Sequence, residues 1–380
     1  METASRVISF PLLKDPDSYT PCTINYEREG VSKVWLDVFR RSIPSFKARA
    51  AADTSVKDAD VKATKFALRF GEILDDLEKD PESHGGPPDC VLLVRLREQV
   101  LREVGFEDIF KKVKADENET ALALLPELLK DIDGTEDKGA RFETVVKGVF
   151  AGNIFDLGAG KAEQEAGKLD FKKSFAELLP RPWAIDDFDA LKEAWLAGPP
   201  RWSKAVVFVD NSGADVILGI IPLARELIRN GTRVVLAAND LPSINDITYE
   251  ELSDIVHKID DEPLQAALDN GSLLVVNSGS DLPVLDLTSV SPELAWVAED
   301  ADLVVFEGMG RGIETNLYAK LKVDSLNLGM IKHKEVAEYL KGRMYDCVCK
   351  YTRVAKPEGG SGSNPDSVPS PKQHVLSGYD

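Results

Sequence analysis

The sequence predicts an α/β fold in which a three-layer, mostly parallel, Rossmann-like sheet follows a helical domain. Apolar residues recur at helical spacing through much of residues 1–200. After Trp202, short β-branched runs alternate with helical patterns, an order typical of parallel sheets covered on both faces. These runs end in polar or glycine-rich sequence, as expected at the carboxyl edge of an open sheet, where such folds carry their chemistry.

The length of 380 residues exceeds what one hydrophobic core usually holds, which favours two structural regions. We predict a mainly helical domain over residues 1–200 that contributes a pocket wall, and an α/β domain over residues 201–355. Residues 356–380 are rich in Gly, Ser and Pro and cannot bury a core, so they are predicted to form a disordered tail.

The helical region contains apolar stripes at residues 35–46 and 63–73 that are typical of core-facing helices. The segment Phe150–Gly158 differs, because Asn153 and Asp156 lie three apart among small and apolar residues. Two interpretations stay open. Composition favours a buried helix start stabilised by its own polar caps, and the alternative is a helix that faces the active edge of the sheet.

The stretch from residue 204 to 246 is the centre of the predicted α/β domain. Ala205–Val209 is a buried-strand pattern that ends at Asp210 and Asn211, and the next strand, Arg233–Ala238, leads to Asp246. Because the ends of neighbouring parallel strands meet at one edge, we expect these three polar residues to converge. Carboxylate and amide oxygens suit a hard divalent cation such as Mg²⁺ or Mn²⁺.

An alternative explanation for Asp210 and Asn211 is a simple Asx turn before a helix, which is a common use of these residues. Taken alone, the pair favours that explanation. Asp246, Arg311 and Lys332 also lie at predicted strand ends, where cations next to carboxylates would clamp a phosphoryl group. This coincidence favours a metal and phosphate site in residues 201–355.

A glycine-rich loop, Glu307–Gly312, follows the predicted strand Leu303–Phe306. Its alternating glycines do not match the G-x-G-x-x-G spacing of dinucleotide loops, and Glu307 would repel a pyrophosphate. Backbone N–H groups of such a loop suit a monophosphate better. The last strand of the pattern, Leu326–Ile331, leads to Lys332.

The charge balance excludes several classes of partner. With 46 basic and 65 acidic residues, the net charge of −19 argues against a surface for nucleic acid or for an anionic membrane. No run approaches the ~20 apolar residues that span a bilayer, and the first residues lack a signal-peptide pattern. We therefore expect a soluble, cytoplasmic protein, and the sequence leaves its oligomeric state open.

Cysteines and histidines are few. Cys347 and Cys349 alternate within a strand-like run, so they are predicted to be a buried pair of reduced thiols. His257 and His333 lie in charged, helix-like contexts, and we predict that both are solvated surface residues.

Three separated blocks resemble the metal-dependent damage-control phosphatase family, in the subfamily that also forms the C-terminal phosphatase domain of pantothenate-kinase-4-like proteins. The matching segments are AGNIFDLGA, VDNSGADVILGIIPLARELIRNGTRVVLAAND with the following INDIT, and EGMGR. The resemblance runs from about Ile43 to Thr352, and the sequence is similar to a stand-alone plant-type member.

The resemblance implies a role for each matching position. It implies Asp210, Asn211 and Asp246 as metal ligands, and Asp210, Asp246 and Lys332 as catalytic residues. The implied substrate-binding residues are Asn153, Asp156, Glu307, Gly308, Met309, Gly310, Arg311 and Lys332. Leu157 stands where relatives often carry tryptophan, a departure that would reshape the pocket wall.

The implied reaction is hydrolysis of a small phosphomonoester with a divalent Mn, Ni, Co or Mg ion. The expected substrate is 4′-phosphopantetheine and its oxidised or damaged forms, and sugar phosphates are the alternative. The nucleophile is either a metal-bound water oriented by Asp246 or the Asp210 carboxylate itself.

Two competing classes remain. A non-catalytic module that binds a phosphorylated metabolite would gain little from a costly carboxylate cluster. A methyltransferase would need an adenosine-binding loop, which the sequence lacks.

Overall fold

The computed structural model describes residues 7–23, 31–154 and 171–355. The predictions made for Asp156, for Leu157 and for the tail 356–380 concern positions outside these described residues.

A seven-stranded sheet forms the centre of the molecule, with strand order β1-β7-β6-β5-β2-β3-β4. The strands are β1 (Ile185–Asp186), β2 (Lys204–Phe208), β3 (Arg233–Ala238), β4 (Leu273–Asn277), β5 (Leu303–Glu307), β6 (Asp324–Met330) and β7 (Cys347–Thr352). All neighbours pair in parallel except β6 and β7, which are antiparallel. The predicted mostly parallel sheet is therefore confirmed.

Twelve α-helices accompany the sheet in the described residues. They are α1 (Val31–Ala51), α2 (Ala59–Lys79), α3 (Cys90–Glu103), α4 (Lys111–Asp133), α5 (Lys138–Asn153), α6 (Phe171–Glu177), α7 (Phe188–Leu196), α8 (Ile221–Arg229), α9 (Tyr249–Lys258), α10 (Glu262–Asp269), α11 (Pro292–Ala298) and α12 (Lys334–Leu340). The helical start and the later alternation of strands and helices both agree with the sequence pattern.

Alternate side chains of β2 show why the fold has three layers. Ala205 and Val207 join a hydrophobic cluster with α5 and α8, whereas Val206 and Phe208 join a cluster with α11 on the other face. Every residue of β2 is buried, as expected for a strand covered on both faces.

Hydrophobic packing crosses the predicted domain boundary at residue 200. The cluster built by α1, α2 and α3 also contains Met309 and Ile331, and β1 pairs with β7 at the edge of the sheet. The helical region thus packs directly against the loops at the ends of β5 and β6, while the division into 1–200 and 201–355 stays a prediction.

Two helices that leave the carboxyl edge of the sheet begin with π-helical geometry. Asp215–Ile220 precedes α8, and Gly310–Thr315 follows β5. The sequence pattern predicted only one regular helix after β2. Such wide turns are frequent at functional sites, and here they set the direction of the side chains that follow Asn211 and Gly308.

The two cysteines of β7 are free and buried, as predicted. Burial raises the pKa of both the Cys347 and the Cys349 thiol, so both stay protonated near neutral pH. Among the described residues, no helix has the length and apolar character needed to cross a membrane.

Candidate active site

The strand ends predicted to carry the chemistry do come together. Asp210 and Asn211 follow β2, and Asn211 forms an isolated antiparallel bridge with Asp246 from the loop after β3. Glu307 ends β5, and Lys332 lies two residues beyond β6. All five side chains are buried at the carboxyl edge of the sheet.

Three carboxylates form a compact group at this edge. Asp210, Asp215 and Glu307 each offer an oxygen atom, and these atoms lie within 4.8 Å of one another. Asp215 was missed by the sequence analysis, because it looks like the ordinary first residue of an apolar helix. The signal that could have found it is its position four residues after Asn211, whose side-chain amide donates to Asp215 Oδ2 at 2.8 Å.

Asn153, at the end of α5, lies beneath this carboxylate group. Its Nδ2 donates to Asp215 Oδ2 at 2.8 Å and to Glu307 Oε1 at 3.2 Å, while its Oδ1 accepts from the Met330 amide at 3.3 Å. The side chain is fully buried. These contacts indicate that Asn153 positions the carboxylates. They do not favour the substrate contact that the resemblance implied.

Arg311 bridges two of the predicted metal ligands. Its Nη1 donates to Asp210 Oδ1, and its Nη2 donates to Asp246 Oδ2 at 2.5 Å and to Asn239 Oδ1 at 2.9 Å. Arg311 is 2% exposed, so its charge is shielded from bulk solvent. A cation thus already lies between Asp210 and Asp246.

Gly308 explains how the EGMGR loop reaches Asp210. It has φ +91°, and a Cβ atom built there would lie 2.0 Å from Asp210 Oδ2. Glu307 Oε2 accepts from the Asp210 amide at 2.8 Å. Glycine is therefore needed both for the backbone conformation and for the close approach, and the loop packs against the carboxylate group.

The charged groups shift each other's ionisation. Burial raises the pKa of Asp210 well above its usual range, and the opposing charge of Arg311 does not reverse this shift. Burial also raises the pKa of Glu307, and the carboxylates of Asp215 and Asp210 raise it further. The group is therefore short of positive charge, and its all-oxygen donor set fits a hard divalent cation.

Lys332 supplies positive charge on the β6 side. It is 6% exposed, and its backbone amide contacts Met309 Sδ at 3.2 Å. Burial raises the pKa of both Asp210 and Asp215, and the positive charge of Lys332 opposes this rise without reversing it. The ammonium group thus acts on Asp215, which Asn153 also holds.

A cavity of about 110 Å³ opens beside Asp210 and Asn211. Its walls come mainly from α1 and α3 and from the loops after β4 and β5. The lining residues are Trp35, Val38, Phe39, Ser42, Phe46, Cys90, Val94, Arg97, Asp210, Asn211, Ile244, Pro283, Val284, Met309, Gly310, Glu314 and His333. Residues of α1 and α3 line this cavity and Asn153 does not, while the role of the helical region as the wall of the substrate pocket stays a prediction.

The two histidines differ in position. His257 is exposed on α9, as predicted. The prediction for His333 holds only in part, because its side chain is 30% exposed but its ring also lines the cavity, with Nδ1 3.1 Å from Glu314 Oε1. The residue precedes α12, and the chain turn there directs the ring inward against Trp35.

The fold and this buried charged group place the protein in the class of α/β proteins whose chemistry lies at the carboxyl edge of the sheet. The sequence model of the "damage-control phosphatase ARMT1-like domain" matches residues 38–348. The chain belongs to this damage-control phosphatase family, which implies a phosphatase.

Similar proteins agree with this assignment. "Damage-control phosphatase At2g17340" of Arabidopsis thaliana is 54% identical over 367 residues, covering 93% of this chain and 100% of the relative. The "4'-phosphopantetheine phosphatase" of Mus musculus is 33% identical and aligns with 91% of this chain, but this covers only 48% of the mouse protein. A crystal structure of a DUF89 family protein from Pyrococcus horikoshii has a TM-score of 0.61 at 20% identity, covers 86% of this chain and 98% of that chain, and supports the fold.

Proposed function

We propose that this phosphatase hydrolyses small phosphomonoesters in a metal-dependent reaction, with 4′-phosphopantetheine and its oxidised or damaged derivatives as the substrate class. The observation that carries this proposal is the buried carboxylate group beside Lys332 and Arg311, which meets a cavity at Asp210. The name of the mouse relative supports the substrate class. Sugar phosphates are the alternative.

The proposed metal ligands are Asp210, Asn211 and Asp246, with Asp215 and Glu307 as further carboxylates within reach of Asp210. A divalent Mn, Ni, Co or Mg ion bound there would polarise the phosphoryl group and offset the charge that develops on its oxygens. Lys332 would donate to a phosphate oxygen. Asn153 and Asn211 hold the Asp215 carboxylate in place.

The test of this proposal is phosphate release from p-nitrophenyl phosphate and from 4′-phosphopantetheine, measured with EDTA and with a panel of divalent ions. Release that depends on the ion and favours 4′-phosphopantetheine supports the proposal. No release with any ion contradicts it, and calorimetric binding of the esters without turnover would identify a metabolite-binding module instead.

Lys332→Ala is expected to lower kcat/KM by about 10- to 100-fold, because a buried, charge-assisted contact to phosphate is worth roughly 1.5–3 kcal/mol. Lys334→Ala is the matched control. Lys334 is exposed and pairs with Glu338 at 3.2 Å on the surface of α12, and such pairs contribute only a few tenths of a kcal/mol. Equal losses for the two variants would exclude the proposed contact of Lys332.

Asn153→Ala is expected to lower kcat/KM by the same factor for p-nitrophenyl phosphate and for 4′-phosphopantetheine. The reason is that Asn153 contacts Asp215 and Glu307 and does not line the cavity. A loss of kcat/KM confined to 4′-phosphopantetheine would instead support a direct contact between Asn153 and the substrate. Thermal unfolding of the variant checks that the fold is retained.

Asp215→Ala and Asp246→Ala together decide which carboxylates hold the ion. Titration calorimetry with Mn²⁺ should show weaker binding for whichever variant lacks a ligand. The ligand set implied by the resemblance requires a loss in Asp246→Ala. If only Asp215→Ala loses affinity, the ion lies between Asp210, Asp215 and Glu307.

A further inference from the structure

Arg97, on α3, is an unusual member of the cavity wall. It is 6% exposed, although it is a full positive charge on an otherwise apolar helix face. Its guanidinium carbon lies 4.3 Å from the ring centroid of Phe46 and 5.6 Å from that of Phe39, both on α1. The side chain is thus held rigidly between two aromatic rings.

The hydrogen bonds of this guanidinium are incomplete. Nε and Nη2 donate to one oxygen of Glu98, at 3.0 Å and 2.9 Å. Within residues 7–23, 31–154 and 171–355, no protein acceptor binds Nη1. Because Arg97 lines the cavity, its remaining N–H groups are available to a ligand inside it.

The chemistry around Arg97 selects the kind of acceptor. Glu98 is also buried and balances the charge of the guanidinium, so a second anion gains little there. A neutral carbonyl oxygen gains a charge-assisted hydrogen bond at no cost in net charge. Phe39 and Phe46, next to Arg97, are apolar and suit an aliphatic chain attached to this carbonyl.

From this arrangement we infer that Arg97 is a specificity-determining residue that donates to an amide or ester carbonyl in the body of the substrate. The apolar wall packs against the chain that links this carbonyl to the phosphate, and the phosphate lies at the Asp210 end of the same cavity. The inference rests on the proposed phosphatase function and deepens it: the preferred substrates are chain-like phosphomonoesters with an amide or ester carbonyl.

The test compares alkyl phosphates with phosphates of equal chain length that carry one amide at successive positions. The wild-type protein should prefer at least one amide-bearing ester in kcat/KM by about 10-fold or more, as expected for a hydrogen bond to a charged donor. Arg97→Met should lower kcat/KM for that ester by about 10- to 100-fold and leave the alkyl phosphate within about threefold. Arg95→Met is the matched control, because Arg95 is exposed on the same helix.

Arg97→Met also leaves Glu98 without its partner, so Arg97→Lys serves as a second variant that retains the charge but lacks the planar fork. It should keep the fold and lose most of the amide preference. No amide preference in the wild-type protein at any position would overturn the inference, as would equal losses for both ester types in the variants.

The Arg97 inference can still be tested if the protein proves not to be a phosphatase. If neither ester is hydrolysed with any divalent ion, calorimetric binding of the same esters replaces turnover as the readout. Tighter binding of an amide-bearing ester that Arg97→Lys abolishes would support the Arg97 site in a protein that is not a phosphatase. Equal binding of both ester types would overturn it.

Discussion

Asp210→Ala is expected to lower metal-dependent turnover by about 10²- to 10³-fold or more, since it removes a charged group from the centre of the site. Asp210 is the one carboxylate that belongs both to the acidic group and to the cavity lining among the described residues. Every route considered for the reaction uses it, either as a metal ligand or as the nucleophile. The measurement is initial rate at saturating metal.

The fold should survive this substitution. Burial already disfavours the ionised form of Asp210 and raises its pKa, and Arg311 keeps Asp246 and Asn239 as partners. Asp254→Ala, an exposed carboxylate on α9, is the control for a general effect of charge. Normal turnover in Asp210→Ala at saturating metal would remove Asp210 from the site.

The strands were predictable because each is a short, β-branched run that is buried on both faces. Leu303–Phe306 from the sequence and Leu303–Glu307 in the structure differ by one residue. The convergence of Asp210, Glu307 and Lys332 followed from the same logic, since neighbouring parallel strands end at one edge. The family resemblance then assigned roles to these residues, which periodicity alone could not do.

The parts that escaped prediction depend on contacts between distant segments. Asp215 accepts a hydrogen bond from the side chain of Asn211, four residues earlier, but its sequence looks like the ordinary start of an apolar helix. The sequence around Arg97 gives no sign that this arginine is buried. Its burial depends on α1, which places Phe39 and Phe46 against it. Asn153 stood out as a polar residue among small ones, but its partners lie 62 and 154 residues away along the chain.

Arg311→Met is expected to destabilise the metal-free protein by roughly 3–5 kcal/mol, because removal of one partner from a buried ion pair leaves an uncompensated charge. Arg311 is the cation that bridges Asp210 and Asp246. Without it, two buried carboxylates would face each other across the gap. Urea unfolding in EDTA measures the loss, with Arg95→Met as the exposed control.

A divalent ion should restore part of the stability lost in Arg311→Met. Ligand binding to the native state stabilises it by mass action, and an ion between Asp210 and Asp246 would replace the charge that the variant lacks. The wild-type protein should gain less, because there the ion competes with the guanidinium for the same oxygens. If Mn²⁺ stabilises the two proteins equally, the ion lies away from Arg311, on the side of Asp215 and Glu307.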